Sequence, residues 1–403
     1  MSCILYDDSI VRTNLLPFTF TRPVCEIRVG VLTIREKWER ITGVKTYTLT
    51  EDYLQEKFPF SEDADSNIII NSSFLPDGKM AAAVMALELN EALVKGESVI
   101  AYRSEKPAIE ATTENSVANT EELKEIQYED EAIQITNVWD IFLQNGDQIR
   151  NDFSLMAQGK VSEKLSDSNR IVNPENIFVE HGAKIENAIL NAKDGPIYIG
   201  RNAEILDGAI IIGPVAICEN AIVRMGARVY NDTTVGPFCK VGGEIQNTVF
   251  IGYSNKAHDG YLGNSVIGEW CNIGAGTNSS NLKNDYSNVR IWNYGAETFL
   301  ETGQMFCGLF MGDHSKAAIN TSFNTGTIVG VCSNVFGAGF PRQYVPSFMW
   351  GGTHVHPLLR AIDTAEKVMA RRDVIMDEKE KNILKYVFES THGNRKMTLN
   401  NPK

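Results

Sequence analysis

One histidine and one glycine-rich turn supply the residue types that acyl transfer to an amine would need. His258 stands in the segment KAHDGYLG, and Gly274, Ala275 and Gly276 follow in the segment NIGAG. A neutral imidazole can take the proton of an ammonium group near physiological pH, which makes the amine a nucleophile. A backbone N–H of the turn could stabilise the negative charge that a thioester carbonyl gains on attack. In the plainer alternative, His258 is a solvated loop histidine beside Asp259.

Cations near this segment could hold an anionic group of a substrate. Lys240 and Lys256 stand close to His258 in the sequence, and Arg224 and Arg228 precede them. Lysine and arginine form charge-assisted hydrogen bonds with phosphate. The same pattern is equally typical of charged residues on a wet protein surface.

The elements that must position these residues show a repeat of six. Eight consecutive β-branched residues have this spacing: Ile199, Ile205, Ile211, Ile217, Val223, Val229, Val235 and Val241. Two positions before each of them stands a small or slender residue: Ile197, Ala203, Ala209, Val215, Ala221, Ala227, Thr233 and Cys239. A helix has a period of 3.6 and a strand a period of 2, so neither explains the spacing. It predicts a left-handed parallel β-helix of the hexapeptide-repeat type, with three faces in each coil.

The period is interrupted at several places and then resumes. It breaks at NAKDG and returns late in the chain at Met311, Ala317, Phe323, Val329 and Val335. Because stacked coils need each other's edges, interruptions should lie at corners and project outward. We therefore expect outward loops at residues 246–263 and 279–302, and about nine coils between residues 176 and 341.

The flanking segments have other patterns. Strand-like stretches (CILY, SNIII, SVIAYR) alternate with helix-like ones (TIREKWERI, MAAAVMALELNEALVKG), which predicts a parallel α/β domain over residues 1–155. We expect a linker over 156–175, the β-helix over 176–342 and a C-terminal helical extension over 343–403. In that extension Asp377 is expected to cap a helix.

Composition limits the class of protein. The 403 residues, 43% of them hydrophobic, suffice for two or three domains. The N-terminus MSCILYDDSI is acidic where a secretory signal is basic, and no run of eighteen apolar residues occurs, so we expect a cytoplasmic protein. The net charge of −13 argues against non-specific binding to nucleic acid or membrane. The seven scattered cysteines predict reduced thiols.

The segment from Gly236, GPFCKVGG…FIGYSNKAHDGYLGNSVIGEWCNIGAGTNSSNLKN, resembles the acetyltransferase half of the GlmU-type bifunctional enzymes, the UDP-N-acetylglucosamine pyrophosphorylase/glucosamine-1-phosphate N-acetyltransferases. The resemblance implies acetyl-CoA as co-substrate and His258 as the catalytic base. It further implies substrate contacts by Tyr261 and Asn272, and coenzyme contacts by Gly274, Ala275 and Asn281. The family's phosphate-binding arginine and lysine align with Gly242 and Asn247, so Lys240 and Lys256 are the nearby candidates for substrate binding.

The segments LLPFTFTRPVCEIRVGVLTIREKWE and NVWDIFLQNGDQI resemble sugar-phosphate nucleotidyltransferases. This resemblance implies a Rossmann-like α/β domain in which Arg12 and Arg22 bind nucleotide and sugar phosphates, with Mg²⁺ as the metal and its ligands unknown. The chain departs from the family pattern at two places. Asp7 and Asp8 stand where the phosphate loop has glycines. Residues 68–73 hold no aspartate at the position of the family's metal ligand, and the nearest one is Asp77.

Together the two resemblances imply a cytoplasmic, homotrimeric transferase of UDP-N-acetylglucosamine biosynthesis. It would acetylate glucosamine-1-phosphate and form a UDP- or dTDP-sugar from a nucleoside triphosphate and a sugar-1-phosphate. One alternative is a regulatory or scaffolding β-helix protein with a degenerate N-terminal domain. Another is a γ-class carbonic anhydrase, whose zinc would be held by histidines such as His181, His258 and His314.

Overall fold

The computed structural model describes residues 2–61, 66–105 and 123–400. The chain forms two compact units, of which the first comprises Met1–Ile27 and Leu32–Val138 and the second comprises Arg28–Val31 and Trp139–Lys403. The domain boundaries drawn from the sequence remain predictions. Among the described residues, no helix is both long enough and apolar enough to cross a membrane.

The first unit is an α/β domain, as the sequence predicts. Its strands are β1 (Ser2–Tyr6), β2 (Thr46–Leu49), β3 (Asn67–Asn71), β4 (Phe74–Leu75), β5 (Glu91–Lys95), β6 (Ser98–Ser104), β7 (Lys124–Gln127) and β8 (Ile133–Gln134). Its α-helices are α1 (Ser9–Asn14), α2 (Ile34–Thr42), α3 (Asp52–Gln55) and α4 (Gly78–Met85). The main sheet has the order β2-β1-β3-β6-β5-β7, and β4 pairs with β8.

The expectation of an all-parallel sheet is wrong at one place. Strands β2, β1 and β3 are parallel, whereas β6 runs antiparallel to both β3 and β5. The predicted helix MAAAVMALELNEALVKG correspondingly ends at Met85, and Glu91–Lys95 forms strand β5. Ala, Leu and Lys favour helices, but Ala92, Leu93 and Val94 are buried between two neighbouring strands, and that packing overrides the local preference.

The second unit contains the expected parallel β-helix. Its strands are β9 (Arg170–Val172), β10 (Ile177–Val179), β11 (Lys184–Ile185), β12 (Ile189–Asn191), β13 (Ile197–Ile199), β14 (Glu204–Ile205), β15 (Ile210–Ile212), β16 (Val215–Ile217), β17 (Ile222–Val223), β18 (Arg228–Tyr230), β19 (Thr233–Val235), β20 (Lys240–Val241), β21 (Glu244–Gly252), β22 (Asn255–Lys256), β23 (Tyr261–Glu269), β24 (Asn272–Ile273), β25 (Asn278–Ser279), β26 (Arg290–Asn293), β27 (Thr298–Glu301), β28 (Leu309–Met311), β29 (Lys316–Ala317), β30 (Ser322–Phe323), β31 (Thr327–Val329), β32 (Asn334–Val335), β33 (Tyr344–Val345), β34 (Met349–Trp350) and β35 (His354–Val355).

These strands stack into three faces. The first face contains β10, β13, β16, β19, the second halves of β21 and β23, β28, β31 and β33. The second face contains β11, β14, β17, β20, β22, β24, β29, β32 and β34, with β35 antiparallel at its end. The third face contains β9, β12, β15, β18, the first halves of β21 and β23, and then β25 and β30.

The residues of the six-residue repeat form the core of the β-helix. All eight β-branched residues from Ile199 to Val241 are at most 1% exposed, and the eight small or slender residues two positions before them are fully buried. The late series from Met311 to Val335 belongs to the same core. All seven cysteines are free and buried, and Cys239 and Cys271 occupy inward positions. From Ile199 to Val241 the repeat therefore predicted the inward columns residue by residue.

The two predicted outward loops have different outcomes. Residues 279–302 do leave the coil, as a hairpin of the antiparallel strands β26 and β27. Residues 246–263 do not leave the coil, because strands β21 and β23 pair with each other in parallel on either side of β22. Lys240 pairs with Asn255, only 15 residues later, whereas Ile222 pairs with Lys240 at a distance of 18. The period breaks there because the coil is shorter, and nothing is inserted.

Helices cover parts of the second unit. The helix α5 (Asp140–Ala157) packs on the first face, where Phe142 contacts Phe310 at 6.2 Å between ring centroids. Asn145 of α5 donates to Thr234 Oγ1 at 3.0 Å and to the Asp232 carbonyl at 2.6 Å. After the coils come α6 (Leu358–Ala370), α7 (Glu378–Ser390) and α8 (His392–Asn400), and Asp377 caps α7 as expected. Since the first face is covered on its outer side, the exposed chemistry of the unit lies on the other two faces.

Truncation of an inward side chain should destabilise the β-helix. Ile211 is fully buried, so we expect Ile211→Ala to lower the free energy of unfolding by about 2–5 kcal/mol. The control Ile319→Ala removes the same atoms from a residue that is 70% exposed and should cost less than about 0.5 kcal/mol. Urea unfolding followed by circular dichroism measures both. Equal costs for the two variants would contradict the assignment of the inward column.

Candidate functional site

His258 and Ala275 occupy the same corner of the β-helix on adjacent coils. Each lies in the turn between the second and third faces, hereafter the second–third corner. The coils are in register because Asn255 pairs with Asn272, and the Gly276 N–H donates to the Asp259 carbonyl at 2.9 Å. The backbones of the two turns are therefore one coil spacing apart, about 4.8 Å. The structure thus brings the predicted base and the predicted coenzyme turn together.

Lys256 holds the turn that carries His258. It occupies an inward position where the neighbouring coils have Val241 and Ile273, and it is 1% exposed. Its Nζ donates to the carbonyls of His258 at 2.7 Å and Asp259 at 3.2 Å. Burial lowers the pKa of Lys256 to about 8, and Asp259 opposes that shift. The sequence analysis expected Lys256 to contact the substrate, whereas in the structure its ammonium donates to carbonyls of the protein itself. The side chain of His258, on the same turn, is exposed.

Two glycines let adjacent coils approach at this corner. Gly260 has a φ of +120°, and a Cβ there would lie 2.0 Å from the Thr277 carbonyl oxygen. A Cβ on Gly274 would lie 2.5 Å from the Ala318 carbonyl carbon of the next coil. Any larger residue would push the coils apart at this point. The two glycines therefore allow adjacent coils to stack closely at this corner, and Gly260 lets the backbone turn just before Tyr261.

The predicted oxyanion-stabilising turn has one free donor. The Gly274 N–H donates to the Ala317 carbonyl and the Gly276 N–H to the Asp259 carbonyl, both at 2.9 Å. Of the residues that the structure describes, none accepts a hydrogen bond from the Ala275 N–H. Ala275 is therefore the member of the turn whose N–H remains available to a ligand.

Tyr261 and Asn281 meet on the third face in a polar cluster. Asn281 Nδ2 donates to Tyr261 Oη at 2.9 Å and to Asn264 Oδ1 at 2.7 Å. Tyr261 Oη in turn donates to Gln246 Oε1 at 3.1 Å. Burial, and then the nearby Glu244 carboxylate, raise the pKa of Tyr261, so the phenol stays protonated and can act as a donor.

Gln246 and Asn264 were missed by the sequence analysis, which placed them in or beside a supposed loop. The register pairs Gln246 with Gly263, next to Asn264. A signal was present, because EIQNTVFIG and YLGNSVIGE begin 17 residues apart and match in their asparagines and valines. Reading them as two shortened coils would have placed both amides on the third face.

Asn272 and Lys240 lie on the second face, away from Tyr261 and Asn281. Asn272 is exposed, and its register neighbours on this face are Asn255 and Lys316. Lys240 lies one coil below Asn255. Arg228, by contrast, is on the third face and pairs with Glu244 at 3.0 Å, so a carboxylate already balances its charge. Within one chain the predicted substrate residues thus lie on both sides of the second–third corner.

In the first unit, polar residues meet at the carboxyl ends of β1, β2 and β3. Asp7 follows β1, and its carboxylate accepts from the Thr50 hydroxyl at 2.7 Å, the Ser72 hydroxyl at 2.9 Å and the Val24 N–H at 2.9 Å. Burial raises the pKa of Asp7, and Arg12 opposes the shift. Ligands of open α/β sheets commonly bind at this edge. In this chain, the hydrogen-bond donors at the centre of that edge already donate to the carboxylate of Asp7.

Of the two predicted nucleotide-binding residues, Arg12 lies beside this carboxylate. Arg12 lies 3.8 Å from Asp7 and donates to the Thr19 carbonyl at 2.8 Å. Arg22 is 5% exposed and lies two residues before Val24. Asp8 caps α1, accepting from two N–H groups at 3.0 Å, so the helix N-terminus that could meet a phosphate is already capped.

The residues at hand do not fit a metal site of several ligands. Within residues 2–61, 66–105 and 123–400, no three His, Cys, Asp or Glu side chains converge as metal ligands would. Asp77, the aspartate nearest to the expected metal position, caps α4 instead. His181 pairs with Glu163 at 3.1 Å, and His314 stacks on Trp270 at another corner.

Residues 3–161 match the family described as sugar nucleotidyl transferase. The chain is 26% identical over 233 residues to the bifunctional protein GlmU of Wigglesworthia glossinidia brevipalpis, covering 51% of this chain and 46% of that protein. It is 24% identical over 336 residues to a bifunctional sugar-1-phosphate nucleotidylyltransferase/acetyltransferase of Sulfurisphaera tokodaii, covering 83% of this chain and 75% of the relative.

A third relative, the bifunctional protein GlmU of Trichodesmium erythraeum, is 34% identical over 86 residues, which are 21% of this chain and 18% of that protein. The chain thus spans less than half of the first relative and three quarters of the second. A nucleotidyl transferase segment followed by a hexapeptide-repeat β-helix is the order that the sequence led us to expect. Residues 3–161 are thus similar to sugar nucleotidyl transferases, and longer stretches of the chain are similar to GlmU-type bifunctional proteins.

Proposed function

We propose that the second unit transfers an acetyl group from acetyl-CoA to the amino group of a sugar phosphate, with glucosamine-1-phosphate as the expected acceptor. The observation that carries the proposal is the pairing of an exposed histidine, His258, with the unpartnered N–H of Ala275 one coil away on the same corner. One group can take a proton and the other can stabilise an oxyanion, and both face the same edge of the β-helix.

The reaction follows from these two groups. The His258 imidazole takes a proton from the sugar ammonium, and the freed amine attacks the thioester carbonyl carbon. The Ala275 N–H stabilises the oxygen of the tetrahedral intermediate. The C–S bond then breaks, the amide forms, and the second proton of the amine passes to the coenzyme A thiolate. Protons and electrons balance without another reactant.

The second–third corner continues upward as an apolar edge that suits the pantetheine arm of the donor. Above Ala275 comes Ile319, which is 70% exposed, and the Asn320 N–H donates to the Ala275 carbonyl at 2.8 Å. One coil further, Phe336 and Phe340 line a cavity of about 340 Å³. We place the thioester beside Ala275 and the remainder of acetyl-CoA along this edge.

The acceptor residues indicate a site between copies of the chain. Tyr261 and Asn281 on the third face and Asn272 on the second face point away from each other across the corner. One small sugar phosphate can contact both sets only if a second chain brings its own face to this corner. The expected homotrimer would provide that arrangement.

For residues 3–161 we propose nucleotidyl transfer, in which a sugar-1-phosphate and UTP or dTTP yield a nucleotide sugar and pyrophosphate. The match to sugar nucleotidyl transferases and the polar cluster at the ends of three parallel strands favour it. Because Asp8 already caps α1, the phosphates would be met by the side chains of Arg12 and Arg22 rather than by that helix.

Replacement of the proposed base should abolish most acetyl transfer. We expect His258→Ala to lower the rate of thiol release from acetyl-CoA with glucosamine-1-phosphate by about 100-fold or more, because the amine would lose its proton acceptor. The matched control His181→Ala alters an exposed histidine at a different corner and should keep full activity. Light scattering on the same samples checks that three chains are present. Equal rates for wild type and His258→Ala would refute the assignment.

Loss of the buried ammonium should show as a pH-dependent loss of stability. The folded chain lowers the pKa of Lys256 from 10.5 to about 8, so between these values the unfolded chain binds more protons and the folded form gains stability as pH rises. We expect the free energy of unfolding of wild type, relative to Lys256→Met, to rise by about 2 kcal/mol from pH 7 to pH 9.5. The exposed control Lys184→Met should show no such trend. A difference that is flat with pH would contradict the buried-lysine interpretation.

Nucleotidyl transfer should depend on Arg22. We expect pyrophosphate release from UTP or dTTP with N-acetylglucosamine-1-phosphate to fall about tenfold or more in Arg22→Ala, because a cation near the transferred phosphate is lost. Arg40→Ala, at an exposed position of α2, is the control. If wild type releases neither pyrophosphate nor thiol, the alternative of a regulatory or scaffolding β-helix protein replaces both proposals.

A further inference from the structure

Four cations converge on the second face near its corner with the third. Lys240 lies in β20, in register with Ile222 below it and Asn255 above it. Arg372, just beyond the end of α6, donates from Nη2 to Asn255 Oδ1 at 2.9 Å. That hydrogen bond fixes the end of the C-terminal helix one coil above Lys240. Arg371 precedes it as the C-cap of α6.

Arg224 comes to the same place from the β-helix. It follows β17, and its N–H donates to the Val241 carbonyl at 2.8 Å, so it lies in the coil directly below Lys240. A Cβ on Gly242 would lie 3.3 Å from Arg224 Cβ, because the two residues occupy equivalent positions on adjacent coils. The four cations, Arg224, Lys240, Arg371 and Arg372, are called the cationic cluster below.

In the described part of the chain, no carboxylate forms an ion pair with the cationic cluster. Among the residues that the structure describes, no Asp or Glu oxygen lies within 4.0 Å of any of its four charged groups. The acidic neighbour Glu204 is itself bound to Lys184 at 3.2 Å. Burial lowers the pKa of Lys240, the charges of Arg372, Arg224 and Arg371 lower it further, and the Glu204 carboxylate opposes the shift. In a chain with a net charge of −13, four cations that repel one another and form no ion pair with a carboxylate favour an anion from outside.

Complementing the dipole of α6 would explain only part of the cluster. Arg371 and Arg372 stand at the C-terminal end of the helix, where cations are favourable. Lys240 and Arg224 belong to the β-helix and gain nothing from that effect. Their approach to two arginines therefore needs another explanation.

We infer that the cationic cluster is a phosphate-binding subsite, to which the C-terminal extension contributes Arg371 and Arg372. The ligand chemistry is a phosphate monoester, held by charge-assisted hydrogen bonds. Its assignment to a substrate rests on the proposed acetyl transfer: the phosphate would belong either to the acceptor sugar or to coenzyme A. Arg224 lies two coils below His258, roughly 10 Å, a gap that an arginine side chain and a sugar phosphate can span together.

Calorimetric titration of the full-length protein tests the subsite directly. We expect the double variant Arg371→Gln/Arg372→Gln to bind glucosamine-1-phosphate at least about tenfold more weakly than wild type, with the same loss for Lys240→Gln. Glucosamine, which lacks the phosphate, should bind all variants equally. The control Arg360→Gln removes an exposed arginine from the other end of α6 and should leave every affinity unchanged. Thermal unfolding shows which variants remain folded.

Titrations with different ligands distinguish a sugar phosphate from coenzyme A as the source of the phosphate. Together with thiol release, they also test the subsite and the acetyl transfer separately. A loss confined to coenzyme A, with 3′-dephospho-coenzyme A unaffected, would assign the subsite to the donor and still support it. Lost phosphate affinity in a protein that shows no thiol release would support the subsite and refute the acetyl transfer. Normal thiol release with unchanged affinities and KM values in both folded variants would overturn the subsite and leave the acetyl transfer standing.

Discussion

The in-register stacking of coils is the constraint on which the rest of the second unit depends. Each strand pairs with the equivalent strand of the next coil, so a side chain at one position fixes the neighbours above and below it. The inward columns supply the apolar burial, and the first face is further covered by α5. With that face closed, functional groups are confined to the second face, the third face and the corner between them. His258 and Ala275 meet because they are the same position on successive coils.

The candidate site coincides with a local departure from that order. The coil that begins at Lys240 is three residues shorter than its predecessor, and the inward position that is aliphatic elsewhere is occupied by Lys256. A buried ammonium costs free energy unless carbonyls surround it, and here the carbonyls belong to the His258 turn. The shortened coil thus places the Lys256 ammonium where it can hold the backbone of the turn that carries His258. A core aliphatic residue could fill the volume but could not hold the turn.

The sequence predicted the scaffold better than the site, for a physical reason. Inward residues such as Val229 are selected by volume and polarity alone, so their spacing is visible without a structure. Gln246 and Asn264 lie near Tyr261 only because of how adjacent coils are aligned. Coils of 15 to 17 residues change that alignment, and the amino-acid composition of the segment does not reveal the change. Arg372 reaches the second face from a helix more than 100 residues away in the sequence, which no periodicity can reveal. In the first unit, strand β5 depended on tertiary pairing in the same way.

The two units treat negative charge in opposite ways. In the first unit, Asp7 accepts from the groups at the ends of three parallel strands, and Asp8 caps α1, so the chain's own carboxylates fill positions that suit an anion. In the second unit, Lys240 and Arg372 approach each other, and no carboxylate of the described residues forms an ion pair with either of them. In the first unit, an incoming phosphate must displace these carboxylates or bind to Arg22. In the second unit, it would reduce the repulsion among the cations of the cationic cluster. On electrostatic grounds, the cationic cluster of the β-helix is therefore more favourable to an incoming phosphate than the edge of the first unit around Asp7.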